Sequence, residues 1–173
     1  MKDSKAQKVL VYDPEKCTGC RYCEIACAYY HFGTLDFERA HLHILFDEEK
    51  CAFEAIYCHH CDKPLCAAAC PSDAISKDEE TGWVKINPSI CIGCKTCTIV
   101  CPLSVPWFNE AFHVSMKCDF CGGEPQCARF CSPQAIRVTT REEALKFSEK
   151  RYIWRLQLEG ERNNRVHAWG ARL

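Results

Sequence analysis

The sequence predicts an α+β fold in which short strands and short helices surround clustered cysteines. Three observations lead to this prediction: a cysteine motif that repeats together with its flanking residues, short runs of alternating apolar residues, and little ordinary hydrophobic core. The predicted strands lie near Val9–Tyr12, His41–Phe46, Val84–Ile86 and Arg137–Thr139. A short helix is expected after the third cysteine of each motif. We therefore expect metal ligation to stabilise the chain where a core is missing.

Cysteine is the most informative residue type, with 17 copies among 173 residues. Such a density is typical of a disulfide scaffold in a secreted protein, or of a metal-binding protein in a reducing compartment. The polar stretch Met1–Gln7 is not followed by the apolar core of a signal peptide, and an odd count would leave one thiol unpaired. These features favour metal binding and predict a cytoplasmic location.

The charge pattern argues against two other classes of protein. The formal net charge is −1, and basic residues are spread along the chain instead of forming the stripe typical of a nucleic-acid binder. The apolar runs are too short to cross a membrane. We expect no nucleic-acid partner and no membrane span, although a Cys₄ zinc module of the regulatory or nucleic-acid-binding class stays open at this point.

Two tight cysteine motifs are copies of each other. Residues 11–17 and 85–91 both place an Asp-Pro or Asn-Pro pair before the first cysteine, and both continue as Cys-x-Gly-Cys-x-x-Cys-x-x-x-Cys. Gly19 and Gly93 hold the same place, where the missing Cβ lets the loop backbone approach a bound group. Motif one comprises Cys17, Cys20, Cys23 and Cys27, and motif three comprises Cys91, Cys94, Cys97 and Cys101.

Two looser motifs also resemble each other. Each has a proline, Pro64 or Pro125, two residues before its third cysteine, and an Ala-Ile pair at the same distance after its fourth. Motif two comprises Cys58, Cys61, Cys66 and Cys70, and motif four comprises Cys118, Cys121, Cys127 and Cys131. The order along the chain is therefore tight, loose, tight, loose, and Cys51 is left outside.

The tight spacing indicates iron–sulfur clusters. A Cys-x₂-Cys-x₂-Cys run turns three thiolates toward one centre, and the spacing Cys-x₂-Cys-x₂-Cys-x₃-Cys-Pro is that of bacterial ferredoxins. Zinc usually takes two Cys-x₂-Cys pairs with a longer spacer, which the tight motifs do not match. The loose motifs are compatible with clusters too, but one of them could hold zinc or stay empty.

On these sixteen cysteines, the sequence resembles the four-cluster ferredoxin-type electron-transfer subunits of anaerobic oxidoreductases, over about residues 8 to 140. The resemblance implies four [4Fe–4S] clusters, with the fourth cysteine of each motif ligating the partner cluster. The implied sets are Cys17/Cys20/Cys23/Cys131, Cys118/Cys121/Cys127/Cys27, Cys91/Cys94/Cys97/Cys70 and Cys58/Cys61/Cys66/Cys101.

The resemblance also implies two ferredoxin-like units, one inserted in the other. The outer unit would comprise residues 1–48 and 110–140 with motifs one and four, and the inserted unit residues 49–109 with motifs two and three. Residues 141–173 contain no cysteine and would form a helical and extended tail. The sequence itself predicts a helix over Arg141–Leu156, with Ala144, Leu145, Ser148 and Tyr152 on one stripe. Beyond it the tail is expected to be either a disordered end or an arm that wraps a partner, and Trp154 and Trp169 favour the arm as anchors.

The resemblance implies an electron-transfer subunit that is not itself an enzyme. The short gap between Cys121 and Cys127 is more similar to the small subunits of tungsten aldehyde ferredoxin oxidoreductase-type enzymes, which include benzoyl-CoA reductases, than to those of dimethyl-sulfoxide-reductase-type enzymes. The expected partners are a tungsten- or molybdenum-pterin catalytic subunit and a further redox subunit or ferredoxin. The alternatives are a free-standing polyferredoxin and a carrier linked to a hydrogenase or carbon monoxide dehydrogenase.

Several residues outside the motifs invite a prediction. His59 and His60 are expected to be loop histidines, either of which could hydrogen-bond a cluster sulfur. His41 and His43 alternate on a predicted strand and are expected on one exposed or interface face. Cys51 is expected to be buried as a small apolar residue, and Trp83 to cover the clusters of the inserted unit.

Overall fold

A computed structural model describes residues 7–149, and the fold that it shows is a small mixture of short strands and helices. Eight strands form four separate two-stranded antiparallel sheets. The strands are β1 Lys8–Tyr12, β2 His43–Asp47, β3 Ala52–Ile56, β4 Ile75–Lys77, β5 Val84–Ile86, β6 Trp107–Asn109, β7 Val114–Met116 and β8 Ile136–Thr140. The α-helices are α1 Tyr22–Phe32, α2 Leu65–Ala68, α3 Thr96–Val100 and α4 Gln126–Arg129; 3₁₀ turns lie at Phe37–Arg39 and Phe120–Gly123. Residues 141–149 are helical as well.

The strand pairing joins the two ends of the described chain and the segments on either side of one short loop. β1 pairs with β8, so that Val9 lies opposite Thr139, and β4 pairs with β5, so that Ile75 lies opposite Ile86. The other two sheets, like β4 with β5, are hairpins of consecutive strands: β2 with β3 and β6 with β7. Helix α1 packs against α4, and α2 packs against α3. Motif one therefore meets motif four, and motif two meets motif three.

Each α-helix of the cysteine motifs begins one residue before the third cysteine, slightly earlier than predicted. Tyr22, Leu65, Thr96 and Gln126 are the first helical residues. Before α1 and α3, Arg21 and Lys95 adopt a left-handed backbone with φ of 59° and 62°. This turn at corresponding positions of the two tight motifs ends the cysteine loop and starts the helix that carries the third thiol.

The strand predictions are confirmed in part. Val84–Ile86 matches the observed β5, and β1 and β8 are longer than predicted. The predicted strand from His41 begins only at His43. Strands β3, β4, β6 and β7 were not predicted, because runs of three to five residues with mixed polarity carry little periodic signal.

The main core forms between the first and last elements. Leu10, Tyr12, Leu42, Phe120 and Ile136 are buried there together with cysteines of motifs one and four. Trp83 belongs to this core, so the prediction that it covers the inserted unit's clusters is wrong. A smaller cluster of Ile75, Val84 and Cys97 lies beside motifs two and three.

The predicted domain boundaries fall inside hairpins. The cut after residue 48 separates β2 from β3, and the cut after residue 109 separates β6 from β7. The tail helix covers residues 141–149 of the predicted Arg141–Leu156, and the rest lies outside the described residues, as do Tyr152, Trp154 and Trp169. Leu145, a residue of the predicted stripe, is 62% exposed. Among the described residues 7–149, no helix has the length and apolarity that a membrane crossing would require.

Candidate iron–sulfur centres

The first candidate centre combines a tight motif with the last cysteine of a loose one. Cys17, Cys20, Cys23 and Cys131 line one small cavity, together with Ile44 and other apolar residues. Three thiols come from the loop before α1 and from its first turn, and Cys131 follows α4. Because four thiols facing one cavity are the donor set of a [4Fe–4S] cluster, this cavity fits the group that the sequence predicts.

The second candidate centre has the same construction. Cys91, Cys94, Cys97 and Cys70 line a small cavity between α3 and the residues after α2. Its other walls include Ile75 of β4 and Ile86 of β5, which hold the two motifs together.

The third candidate group gathers the motif-four thiols around the last cysteine of motif one. Cys27 interacts electrostatically with Cys121, and Cys127 interacts with Cys118, Cys27 and Cys121. Cys127 also interacts with Cys23, so this group is next to the first cavity.

The fourth candidate group centres on Cys66, which interacts electrostatically with Cys58 and Cys101. Cys61, the remaining cysteine of motif two, is exposed in the loop after His60. Cys58 also interacts with Cys118, so that the third and fourth groups are neighbours.

Backbone N–H groups donate hydrogen bonds to one thiol of motif one, one of motif three and two of motif four, and a side chain donates to one thiol of motif two. The donors are His41 to Cys27 (3.2 Å), Ile136 to Cys131 (3.3 Å), Phe120 to Cys118 (3.4 Å) and Ser115 to Cys91 (3.5 Å), with the side chain of Lys117 donating to Cys58 (3.5 Å). Motif four thus receives two of these donors. Hydrogen bonds to cluster sulfurs stabilise added negative charge and adjust reduction potential.

The electrostatic environment separates buried thiols from exposed ones. Burial raises the pKa of Cys23 and of Cys27 to about 12. Burial also raises the pKa of Cys118 and of Cys127. Hydrogen bonds at Thr96 instead lower the pKa of Cys94. Because metal ligands are thiolates, metal binding at the buried sites must release protons.

The two loop histidines differ in environment. His60 is buried, its Nδ1 accepts a hydrogen bond from Val84 N at 3.0 Å, and its Nε2 has no hydrogen-bond partner among the described residues. His59 stacks on Tyr57. Both lie in the loop of motif two, as predicted. A buried ring nitrogen without a partner, between Cys58 and Cys61, suits a donor to a bound sulfur.

The prediction for His41 is wrong, because it is buried rather than exposed. Its ring packs against that of His31 in a tilted arrangement, with ring centroids 4.4 Å apart, and both of its ring nitrogens lack a hydrogen-bond partner among the described residues. Cys27, His31 and His41 bring one potential ligand atom each within 4.8 Å of one another. His43, in contrast, is half-exposed and pairs with Glu24 across 3.7 Å. The alternation of a strand does not apply to His41, because β2 begins only at His43.

The prediction for Cys51 is also wrong. This cysteine is exposed in the turn between β2 and β3, where its backbone has a φ of 48° and its thiol contacts Glu48 O at 3.5 Å. A turn residue cannot contribute to the core on either face of the hairpin.

Sequence reasoning missed Lys117, His31 and Asp119, which surround the motif-four thiols. His31 Nε2 lies 3.7 Å from Cys121 Sγ and 3.5 Å from Asp119 Oδ1. The available signal was the adjacency of Lys117 and Asp119 to Cys118, but adjacency alone does not tell which way a side chain points.

Comparison with known proteins agrees with this geometry. A family model described as a 4Fe-4S dicluster domain matches residues 48–141, and a 4Fe-4S binding domain model matches residues 9–32. The polyferredoxin-like subunit of an aliphatic sulfonate oxidoreductase from Pyrococcus furiosus is 36% identical over 76% of this chain and 77% of that protein. The thiosulfate reductase electron transfer subunit of Salmonella typhi is 30% identical over 80% of this chain and 78% of that protein.

Among solved structures, the chain is similar to one in the active-site complex of benzoyl-coenzyme A reductase with benzoyl-CoA. That similarity covers 86% of this chain and 89% of the other, at 22% identity and a TM-score of 0.45. The dicluster match spans more than half of the sequence. The chain therefore belongs to the 4Fe–4S dicluster domain family, and it is an iron–sulfur electron-transfer subunit rather than a catalytic one.

Proposed function

We propose that the chain holds four [4Fe–4S] clusters and relays single electrons to or from a tungsten- or molybdenum-pterin oxidoreductase subunit. The single observation that carries the proposal is the pair of cavities in which three cysteines of a tight motif meet the last cysteine of a loose motif. That combination of ligands is the crossed pattern of two-cluster ferredoxins.

The proposed ligand sets follow this crossing throughout. Cys131 completes the set of motif one, and Cys70 completes the set of motif three. Electrostatic interactions of Cys27 with Cys121 and Cys127, and of Cys101 with Cys66, support the reciprocal exchange. Cys61 is assigned to the fourth set from its motif.

The proposed arrangement is two units, with the second inserted in the first. The pairing of β1 with β8 and the packing of α1 on α4 support an outer unit of motifs one and four. The pairing of β4 with β5 and the packing of α2 on α3 support an inner unit of motifs two and three.

The chain's own residues would hold, shield and order these sites. When bound, each cluster supplies a site that accepts or releases one electron. The thiols fix its position, buried apolar residues such as Ile44 and Ile75 limit the access of water, and backbone N–H groups stabilise negative charge. The electrostatic interactions of Cys127 with Cys23 and of Cys118 with Cys58 support a path in which the third group is next to both the first and the fourth.

An exposed aromatic groove supports the assignment of a protein partner. Tyr22, Tyr29 and Tyr30 of α1 line it with Leu35 and Phe130, and each of these five side chains is more than half exposed. Apolar patches of this kind on a protein surface usually mark an interaction site. We propose that the catalytic subunit docks here, since α1 also carries Cys23 and Cys27. A further redox subunit or ferredoxin, and a cytoplasmic location, complete the proposal.

Metal analysis of the anaerobically purified protein tests the cluster proposal. We expect iron and acid-labile sulfide for four clusters, and an EPR signal of interacting clusters after reduction. Zinc without sulfide would overturn it. Cys131→Ser and Cys27→Ser test the crossing: each should lose one cluster, Cys131→Ser from the motif-one site and Cys27→Ser from the motif-four site. The same EPR features lost in both variants would contradict the crossed sets.

Purification from the native cell tests the partner. We expect the chain to co-purify with a pterin-containing catalytic subunit, and Tyr29→Glu to weaken that association while Phe112→Glu, another exposed aromatic position, leaves it unchanged. A small monomer that runs alone would instead indicate a free-standing polyferredoxin. Co-purification with a hydrogenase or carbon monoxide dehydrogenase would indicate the other alternative.

A further inference from the structure

Lys117 is a buried lysine placed between two groups of cysteines. It follows strand β7, immediately precedes Cys118 and is 5% exposed. Its Nζ lies 3.5 Å from Cys58 Sγ, so the first residue before motif four reaches the first cysteine of motif two. Lys117 also interacts electrostatically with Cys66 and Cys118. It therefore contacts both the third and the fourth candidate groups.

The hydrogen bonds of Lys117 match an ammonium group. Nζ donates to Val84 O, to Cys118 O at 2.9 Å and to Cys58 Sγ. An ammonium has three N–H donors, whereas a neutral amine has two, so three acceptors around one nitrogen indicate the charged form.

Nothing acidic balances this charge within the described part of the chain. None of the ion pairs formed among residues 7–149 includes Lys117, so no carboxylate of this part of the chain lies within pairing distance of its Nζ. Burial of an unpaired ammonium is unfavourable, because the group loses its hydration. The remaining source of negative charge is the thiolates of Cys58, Cys66 and Cys118, which face it from two motifs.

We propose that Lys117 is a positioning residue that raises the reduction potential of the clusters held by motifs two and four. The inference rests on the proposed function, because it needs clusters at both sites. Reduction adds one electron, and thus one negative charge, to a cluster, while no bond or proton changes at Lys117. A fixed positive charge in a poorly solvated site stabilises the reduced form more than the oxidised form. One side chain thereby acts on neighbouring sites of both proposed units.

A structural role for Lys117 is the competing explanation, since its bonds to two backbone carbonyls also tie β5 to motif four. Three variants separate the two roles. Lys117→Gln removes the charge and keeps a donor, and Lys117→Arg keeps the charge. Lys16→Gln is the matched control: Lys16 also immediately precedes the first cysteine of a motif, but its side chain is 54% exposed and lies 3.8 Å from Asp13.

The test is an EPR-monitored redox titration of the full iron-loaded chain, with iron and sulfide measured on each sample. In Lys117→Gln we expect the ratio of reduced to oxidised cluster to fall tenfold at a fixed potential for at least one cluster. This is a shift of its midpoint by ~59 mV to a more negative value. The midpoints of the other clusters in Lys117→Gln should stay near the wild-type values. All midpoints in Lys117→Arg and in Lys16→Gln should do so too. Full loading with unchanged midpoints in Lys117→Gln would overturn the inference.

Loss of clusters is also informative. If Lys117→Gln loads less iron while Lys117→Arg loads fully, the charge is needed against the thiolates and the inference stands. If Lys117→Gln and Lys117→Arg both lose clusters, cluster binding depends on the shape of the lysine side chain and not on its charge, and the inference fails. A wild-type protein without clusters would instead contradict the proposed function.

Discussion

The indole of Trp83 stacks on the ring of Phe120, with ring centroids 4.5 Å apart and an interplanar angle of 23°. Trp83 precedes β5, and Phe120 lies between Cys118 and Cys121 of motif four. The indole Nε1 also donates to Lys8 O at 3.0 Å, next to the start of β1. One side chain therefore connects three segments that are remote in the sequence, and it packs beside the motif-four thiols.

Replacement of Trp83 should destabilise the whole fold. Trp83→Ala removes the stacked ring and leaves a cavity beside Phe120, which is fully buried. Large-to-small changes of this kind cost about 3–5 kcal/mol. Thermal unfolding of the iron-loaded protein measures the loss. Phe112→Ala is the control, because Phe112 is 63% exposed, and equal losses in the two variants would contradict the connecting role of Trp83.

Glu24 is expected to stabilise the fold as a buried carboxylate. It accepts a hydrogen bond from Ile44 N at 2.7 Å and pairs with Arg21 and His43. Burial raises the pKa of its carboxyl, but these hydrogen bonds together outweigh burial and hold that pKa below its ordinary value. Glu24→Gln should therefore lower the free energy of unfolding by about 1.5–3 kcal/mol.

The pH dependence of this contribution has a defined direction. Since the folded pKa of Glu24 is depressed, its stabilisation is complete above the unfolded value of ~4.3 and is lost as pH falls through the folded value. Denaturant unfolding of Glu24→Gln at neutral pH checks the loss, with Glu49→Gln as the exposed control. A Glu24→Gln protein as stable as Glu49→Gln would refute the expectation.

Gly19 is expected to tolerate no side chain. A Cβ at this position would lie 2.2 Å from Cζ of Phe53, and the backbone φ is +69°. Gly33 has a similar φ of +65° but nothing within 4 Å of its Cβ. Both glycine-to-alanine changes carry the left-handed backbone cost of about 1–2 kcal/mol, so their difference isolates the contact with Phe53.

The measurement for these glycines is iron content and thermal stability of the two variants side by side. Gly19→Ala should lose more stability than Gly33→Ala and should also lose iron, since Gly19 lies between Cys17 and Cys20. Indistinguishable variants would show that the Phe53 ring moves away without cost.

Cys51 should be the thiol that stays free in the loaded protein. Because it is exposed and lies outside the four motifs, a maleimide should label it while the motif cysteines are protected by iron. Mass spectrometry of the labelled protein should show a single modified site that disappears in Cys51→Ser, with iron content unchanged. Loss of iron in Cys51→Ser would show that this cysteine takes part in a centre.

The repeats of the sequence were sufficient to predict the chemistry of the site. The shared spacing of motifs one and three, with Gly19 and Gly93 at matching places, restricts which metal group can bind, because spacing within one loop sets where three thiols can point. The backbone conformation of those two glycines also follows from their place in the repeat, and both have a φ of +69°.

Other features depended on contacts between distant segments, which no local pattern contains. His41 was expected on an exposed or interface face and is buried, because its ring packs against that of His31 of α1. Cys51 was expected in the core and lies in a turn of a hairpin whose second strand was not predicted. Trp83 was expected over the inserted unit and packs instead on Phe120 of motif four.

The sequence by itself thus determined the donor atoms, their grouping into four motifs and the family, because these depend on residue type and on spacing along the chain. The tertiary structure decided which motifs meet, through the pairing of β1 with β8 and of β4 with β5. It also decided that Lys117 reaches Cys58, 59 residues away in the chain. A charge acts through distance in space and through burial, and only the folded chain sets both.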